Sequence, residues 1–309
     1  MKALIKVGYA CNEHCSFCHT LEVRHLDDTD ASIHRKIERA RRLGHSMVVF
    51  SGGEPTIRPE ILDWATHVAS LGLDLGFVTN GRRFAYPEFV DAMLARRLRY
   101  AYVSFHGASA RVHNRLVRAP AFDETLAAIR HLHGRVEVLT VNCVVTRSNL
   151  AGLRDLVDLL APLPRLTLKF SMTAPKGGGD RLFDLLTPPV TDVARAVADA
   201  IRYGLARRGD GPGPGLGHDG LPLCLLPGLE HLYDDLRTND FRTMTEVGED
   251  DFFPVDDVIK VQPDEPCARC SLRGPCPGLF RGYLDHHPDA ARDLQARPGG
   301  RANSCNFTP

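Results

Sequence analysis

The chain has 309 residues, of which 43% are hydrophobic, and its 38 basic and 38 acidic residues give a formal net charge of zero. This composition predicts a soluble globular protein with one large core, and the lack of a basic run argues against nucleic-acid or anionic-membrane partners. No apolar run reaches the roughly 18 residues of a membrane span, and Met1–Ala10 is too short and too charged for a secretion signal. We therefore expect a cytoplasmic protein.

Short β-branched segments alternate with helical patterns from residue 3 to residue 208, which is typical of a parallel sheet built from strand–helix units. The pattern predicts an α/β fold, a partial (β/α)6 TIM-like barrel. The six predicted strands are Leu4–Tyr9, Met47–Phe50, Leu73–Val78, Tyr100–Phe105, Val136–Val145 and Leu166–Phe170. The six predicted helices are Ile33–Leu43, Pro59–Ser70, Pro87–Arg97, Phe122–His133, Leu153–Leu160 and Thr191–Arg208.

A polar or glycine-rich stretch follows the carboxyl end of every predicted strand. In (β/α) barrels this end of the sheet carries the active site, so the six stretches are expected to meet there. They are residues 11–18, 51–55, 79–81, 104–107, 142–149 and 171–179.

The first of these stretches contains Cys11, Cys15 and Cys18. An odd total of nine cysteines without a secretion signal favours reduced thiols and metal binding over disulfides. Three thiolates in one short loop suit an iron–sulfur cluster, although a four-iron cluster would be left one ligand short. A structural zinc site completed by His14 or His19 is the alternative that the spacing permits.

The glycine- and proline-rich segment Gly209–Gly217 predicts a linker between residues 1–208 and a second unit, residues 209–309. In that unit we expect a short helix near Leu229–Leu236 and a hairpin near Phe252–Val261. Its weak apolar periodicity suggests that a metal site stabilises it, and three further cysteines stand close together at residues 267, 270 and 276. A zinc ribbon is the alternative use of these thiols.

The pattern Cys11-x3-Cys15-x2-Cys18, with Phe17 before the last cysteine and Gly-Gly-Glu-Pro about 35 residues later, resembles the radical S-adenosylmethionine (SAM) superfamily. The resemblance implies that the three thiolates hold a [4Fe–4S] cluster and that SAM binds the remaining iron through its amino and carboxylate groups. It also implies reductive cleavage of SAM to a 5′-deoxyadenosyl radical, which abstracts a hydrogen atom from the substrate. An electron donor such as flavodoxin or ferredoxin would supply the electron.

The resemblance also assigns SAM-binding roles to particular residues. Phe17 would lie against the adenine ring, with simple packing as the alternative. Gly52, Gly53 and Glu54 would form the edge that accepts the methionyl ammonium, because glycines permit close backbone approach and a carboxylate offsets the positive charge.

Two positions at the ends of the fourth and fifth strands match SAM-binding positions of similar enzymes, and two more candidates lie near the strand ends. Ser104 and Asn142 would bond the ribose hydroxyls or the methionyl carboxylate, with Thr79 as a near neighbour. Arg118 could pair with the same carboxylate. The alternative is that these polar residues only cap strands and turns. Cys143 should point away from Asn142, as a buried thiol rather than a ligand.

The pattern Cys267-x2-Cys270-x5-Cys276-Pro-Gly resembles the SPASM or shortened twitch extensions of the superfamily, which hold auxiliary [4Fe–4S] clusters. Phe280 stands where the full SPASM pattern has another cysteine, so one auxiliary cluster is expected. Cys224 is the expected fourth ligand, and Cys305 competes for that place. If Cys224 is instead free, it could act catalytically by donating a hydrogen atom to a product radical.

The expected function is therefore a radical SAM enzyme acting on a peptide or a small molecule. The first strand begins almost at Met1, which mildly favours a small molecule or a peptide delivered by a partner. Lys169, Lys176 and the glycines after them are candidates for lining the barrel mouth. The alternative function is a non-catalytic iron–sulfur or zinc protein that carries electrons or binds a partner.

Overall fold

The computed structural model of the protein describes residues 1–208, 213–236, 238–255 and 259–297. Within these ranges the main sheet has nine strands in the order β7-β6-β5-β4-β3-β2-β1-β8-β9. Neighbouring strands run parallel except for the β8–β9 pair. The strands are β1 Lys2–Lys6, β2 Met47–Ser51, β3 Asp74–Thr79, β4 Leu98–Ser104, β5 Val138–Val145, β6 Thr167–Met172, β7 Gly215–Asp219, β8 Phe241–Thr245 and β9 Phe253–Pro254; Lys260–Val261 (β10) pairs separately with Leu279–Phe280 (β11).

Helices connect the strands. They are α1 Asp30–Arg42, α2 Ile61–Ser70, α3 Pro87–Leu94, α4 Ala110–Val117, α5 Phe122–Leu132, α6 Leu153–Leu160, α7 Gly178–Arg181, α8 Phe183–Leu186, α9 Val190–Arg208, α10 Asp264–Cys267 and α11 Arg281–His286. Pro87 opens α3 as predicted, where its missing N–H costs nothing, but α2 begins after Pro59, at Ile61. Helix α4 was not predicted, although its buried residues His113, Leu116 and Val117 have helical spacing.

The two faces of the sheet carry different side chains. One face packs against the helices and forms the main core, in which Ile37, Trp64 and Ile129 are fully buried. The inner face is apolar near the amino ends of the strands, where Tyr100 and Phe241 pack with Leu4 and Val49. Successive side chains of a strand point to opposite faces of the sheet. On the inner face, the residues nearer the carboxyl ends of the strands are polar.

The segment predicted as a linker is partly a strand. Residues Gly215–Gly217 lie in β7, which extends the parallel sheet beside β6. Leu216 is buried against Gly204 of α9, where its Cδ1 would lie 2.7 Å from an added Cβ. The lack of side chains at Gly215 and Gly217 concealed this strand from pattern analysis. The division into units at residue 208 remains a prediction.

Two expectations for the C-terminal part are wrong. The two ends of the predicted Phe252–Val261 hairpin pair with different strands, since β9 joins β8 and β10 joins β11. The predicted helix near Leu229–Leu236 is only a 3-10 turn, Glu230–Leu232. Strand β8 pairs in parallel with β1, so the first strand of the chain is flanked on both sides.

The predicted fold class is confirmed: six strand–helix units form a parallel sheet of the partial TIM-barrel type, and residues beyond 208 extend it at both ends. No helix in the described part of the chain is long and apolar enough to cross a bilayer.

Candidate active site

The cysteine loop lies after β1, and its three thiols are near one another. Burial is the largest cause that raises the pKa of Cys15, followed by the charge of Glu13 and then by the charges of Cys11 and Cys18. Burial, followed by the charge of Glu54, raises the pKa of Cys11 to about 12. The raised pKa values of Cys11 and Cys15 mean that these two thiols keep their protons until a cation displaces them.

Backbone hydrogen bonds from two other loops hold this cysteine loop in place. The carbonyls of Leu116 and Val117, at the carboxyl end of α4, accept from Ser16 and His14 at 3.0 and 2.9 Å. The turn after β6 approaches from another side, where the amide of Gly178 donates to the carbonyl of Cys18 at 2.8 Å. The Gly177–Gly179 turn predicted to line the barrel mouth thus contacts the cysteine loop directly.

Arg24 fixes the start of the loop. Its guanidinium donates to the carbonyl of Cys11 at 2.9 Å and also to the carbonyl of Glu13. Within the loop, Cys15 lies 3.5 Å from Glu13 Oε2, and burial raises the pKa of Glu13 to about 8. Arg24 and Glu13 were not identified from the sequence, because their role depends on how the loop closes.

Gly52 and Gly53 pack against the backbone that leads into the cysteine loop. An added Cβ would lie 2.0 Å from the Gly8 carbonyl oxygen at Gly52 and 2.3 Å from the Ala10 carbonyl oxygen at Gly53. Gly52 also has a φ of +132°, which L side chains rarely adopt. The glycines therefore permit close approach of the chain to itself, and their predicted contact with SAM stays a prediction.

Glu54 is buried, and its carboxylate is fully occupied by neighbouring donors. It accepts from the Thr56 hydroxyl at 2.6 Å, from the Thr79 hydroxyl at 2.8 Å and from the Asn80 amide at 2.6 Å. Burial nevertheless raises the pKa of Glu54. These bonds join the end of β2 to the end of β3, and they engage the Thr79 hydroxyl that was predicted to contact SAM.

Ser104 and Asn142 are neighbours at the carboxyl ends of β4 and β5. They are register partners, and Lys169 of β6 is opposite Asn142 on the other side. The Asn142 side chain accepts from the Ser171 hydroxyl at 2.6 Å. Cys143 points to the other face, as predicted, and is fully buried, which raises its pKa.

Phe17 belongs to the cysteine loop, and Arg118 follows the helix end that anchors this loop. The Phe17 ring meets the His106 ring edge to face, with the centroids 4.8 Å apart. His106 was not identified as a site residue; it is buried, and its Nδ1 accepts from the Val144 amide at 3.1 Å. Arg118 is exposed and caps α4 with a left-handed φ of 52°, directly after the Val117 carbonyl that anchors the loop.

The C-terminal cysteines converge as predicted. Cys224, Cys267, Cys270 and Cys276 line one cavity, and Cys305 lies outside the described residues. Cys224 is buried, and burial followed by the charges of the other three raises its pKa to about 11. The Cys276 sulfur accepts from the backbone amides of Leu223 and Gly278, each at 3.4 Å.

The donor sets of both sites fit iron–sulfur clusters. Thiolates are the ligands that such clusters require, three in the first set and four in the second. In the described part of the chain, no group of three or more His, Cys, Asp or Glu side chains is arranged to hold a metal ion. A four-iron cluster places its thiolates on different irons, so it needs sulfurs that surround a larger body than one ion.

Known proteins with similar sequences are radical SAM enzymes. Residues 5–160 match the profile of the Radical SAM superfamily. PqqA peptide cyclase from Streptomyces rochei is 30% identical over 213 residues, which cover 68% of this chain and 58% of that protein. AdoMet-dependent heme synthase from Methanosarcina barkeri is 29% identical over 175 residues, covering 55% of this chain and 50% of the synthase. The matches thus span little more than half the length of these relatives.

A solved structure shows the same fold. Streptococcus suis SuiB bound to S-adenosylmethionine has a TM-score of 0.64 and 15% identity, covering 94% of this chain and 75% of SuiB. The structure of SuiB bound to precursor peptide SuiA has a TM-score of 0.57 and 16% identity, and the match covers 71% of this chain and 48% of the SuiB chain.

The family explains why the cysteine loop, the glycine-rich end of β2 and the parallel sheet occur together. It implies SAM and a [4Fe–4S] cluster as cofactors. The chain belongs to the radical SAM superfamily.

Proposed function

We propose that the protein modifies a peptide by radical chemistry, with Cys11, Cys15 and Cys18 as the ligands of the SAM-binding [4Fe–4S] cluster. The observation that carries the proposal is the three-thiol loop, anchored where the strands end. When bound, the cluster and SAM supply a 5′-deoxyadenosyl radical that abstracts a hydrogen atom from the substrate. The protein supplies binding and orientation and excludes water.

The residues at the strand ends support SAM binding in two ways. We assign Ser104 and Asn142 to direct contacts with the ribose or the methionyl carboxylate, Phe17 to the adenine, and exposed Arg118 to the carboxylate. Glu54 would act through its charge and by holding the ends of β2 and β3, because its oxygens are already hydrogen-bonded. Thr79 would act through Glu54. Gly52 and Gly53 would keep the backbone beside the cysteine loop.

The second thiol set would hold one auxiliary [4Fe–4S] cluster. Four thiolates saturate a four-iron cluster, which favours electron transfer over substrate binding. The common cavity of Cys224 with Cys267, Cys270 and Cys276 supports Cys224 as the fourth ligand. If Cys224 is not a ligand, hydrogen donation to a product radical is its remaining catalytic role.

A peptide is the proposed substrate because the relatives include a peptide cyclase and because SuiB was solved with a precursor peptide. A small molecule is the second candidate, favoured by the similarity to a heme synthase. We further propose a flavodoxin or ferredoxin as electron donor.

Anaerobic reconstitution tests the proposed function. We expect roughly eight irons per chain and release of 5′-deoxyadenosine when reductant and SAM are added. Four irons without SAM cleavage would contradict both the auxiliary cluster and the catalytic function. Synthetic peptides from reading frames beside the gene, analysed by mass spectrometry, test the substrate class. A peptide substrate should change mass only with SAM and reductant present.

A further inference from the structure

Two lysines with shielded side chains form ion pairs with Asp219 on the inner face of the sheet. Lys169 of β6 and Lys260 of β10 each expose 4% of their side chains, and Asp219 at the end of β7 exposes 24%. The Lys260 ammonium is 2.8 Å from Asp219 Oδ1, whereas the Lys169 ammonium is 3.9 Å from Oδ2. The closer ion pair of Asp219 is thus the one with Lys260, and Lys169 is held at a longer distance.

Lys169 has the greater need of a further partner. Among the described residues it donates no hydrogen bond, and its other close neighbour is the Tyr102 ring, 5.3 Å from the ammonium to the centroid. Burial, and next the charges of Asp219 and Asp234, raise the pKa of Tyr102, so its phenol stays protonated. Asp234 itself accepts a hydrogen bond from Thr238 at 3.3 Å. An ammonium whose side chain is only 4% exposed and which lies 3.9 Å from its counter-ion is weakly paired, and an anion within hydrogen-bond distance would stabilise it.

The position of Lys169 connects it to the proposed SAM site. Lys169 is the register partner of Asn142, which is the partner of Ser104. Neighbouring strands are about 5 Å apart, so a group bound at Lys169 lies one strand away from the residues assigned to SAM.

Asp219 and Lys260 are close in sequence to residues of the second thiol set. Asp219 precedes Cys224 on one segment, and Lys260 precedes Gln262 on another. The Gln262 side chain lines the cavity of the four thiols and donates to the Arg273 carbonyl at 2.8 Å.

We infer that Lys169, with Lys260 and Asp219 beside it, forms a substrate subsite that binds the carboxylate of an acidic side chain in the peptide. The inference rests on the proposed function and names the substrate chemistry of that site. An ammonium buried at the inner face offers a charge-assisted hydrogen bond that a neutral amide side chain cannot match.

Binding of small probes to the anaerobically reconstituted, SAM-loaded protein tests the subsite. N-acetyl-L-glutamate methylamide and its neutral glutamine counterpart are compared by ligand-observed NMR. We expect wild type to prefer the glutamate probe about tenfold, and Lys169→Gln to lose that preference. Lys169→Arg should keep most of it. Arg195→Gln, at a residue whose side chain is 75% exposed, is the matched control and should bind like wild type.

Asp219→Asn separates binding from a structural ion pair. Removing the carboxylate takes away the anion that competes with the ligand for the Lys169 ammonium, so the glutamate probe should bind several-fold more tightly. If Asp219→Asn and Lys169→Gln both leave the preference unchanged, or both weaken it, the inference is wrong. Iron content and thermal unfolding identify variants that fail to fold, and for those Lys169→Arg and Asp219→Asn decide the question.

The carboxylate of SAM is the alternative anionic ligand for Lys169. If Lys169→Gln weakens SAM but not decarboxylated SAM, the ammonium binds the cofactor and the substrate assignment is overturned. Unchanged SAM affinity together with a lost glutamate preference supports it. Probe binding does not require turnover, so a protein that cleaves SAM but shows no preference refutes only this inference, whereas failure to cleave SAM refutes the proposed function.

Discussion

The two thiol sets reach their geometry by opposite routes. Cys11, Cys15 and Cys18 belong to one short loop, which is held from outside by α4, by the turn at Gly178 and by Arg24. The second set brings Cys224 together with residues 267–276 from a distant segment. The Cys276 sulfur accepts hydrogen bonds from the backbone amides of Leu223 and Gly278. The first site, proposed to leave one iron open, depends on surrounding segments for its shape, whereas the second site, proposed to have four thiolates, would be closed by its own ligands.

Loss of a thiol at the first site should have the largest effect. We expect Cys15→Ala to lower iron from roughly eight to roughly four per chain and to reduce SAM cleavage by about a thousandfold or more, because the cluster cannot be held by two thiolates. Iron analysis and 5′-deoxyadenosine release measure this. Cys143→Ala removes a buried thiol outside both sets and should keep the iron. Full activity in Cys15→Ala would refute the ligand assignment.

Loss of a thiol at the second site should have a smaller effect on SAM. We expect Cys224→Ala to lose about four irons while SAM cleavage without substrate stays within about tenfold of wild type, because the first site does not depend on Cys224. Cys305→Ala is the matched control and should retain both clusters. If Cys305→Ala loses iron and Cys224→Ala does not, the fourth ligand is Cys305.

The buried carboxylate beside the first site should matter for stability. In Glu54→Gln an NH2 group, which cannot accept a hydrogen bond, replaces one of the two carboxylate oxygens that accept from Thr56, Thr79 and Asn80. We therefore expect the free energy of unfolding to fall by about 3 kcal/mol. Urea unfolding of the iron-free protein measures it. Glu22→Gln, at an exposed position, should change stability by less than about 0.5 kcal/mol. Equal effects of the two changes would refute the role of Glu54 as a link between β2 and β3.

The smallest effect is expected at Gly178, whose amide donates to the Cys18 carbonyl in the cysteine loop. A Cβ at Gly178 would lie 2.5 Å from the Ser16 carbonyl oxygen, so Gly178→Ala should cost about 2 kcal/mol and weaken iron retention at the first site only. Gly152→Ala is the control, since its nearest neighbour would be 3.8 Å away. Electron paramagnetic resonance of the reduced protein distinguishes the two clusters. Equal loss of both signals would show that Gly178 acts on the whole fold.

Much of the fold and of the first site could be predicted from the sequence. The strand–helix alternation up to residue 208 reflects local hydrophobic periodicity, so the six units were found with small errors at their ends. Helix α4 and strand β7 were missed for different reasons. The pattern of α4 is short, and β7 is rich in glycine, where packing against Leu166, Thr167 and Gly204 rather than propensity defines the strand.

Local features of the sequence indicate the family and the fold class. Cysteine spacing, the Gly-Gly-Glu segment and the alternation of elements are local features, and they were sufficient to indicate the family. Tertiary structure decided which side chains meet. Glu54 turned out to be held by Thr79 and Asn80, and Lys169, which a local reading expects to be solvated, is buried beside Asp219. Such contacts join residues far apart in the chain, and only the register of the sheet brings them together.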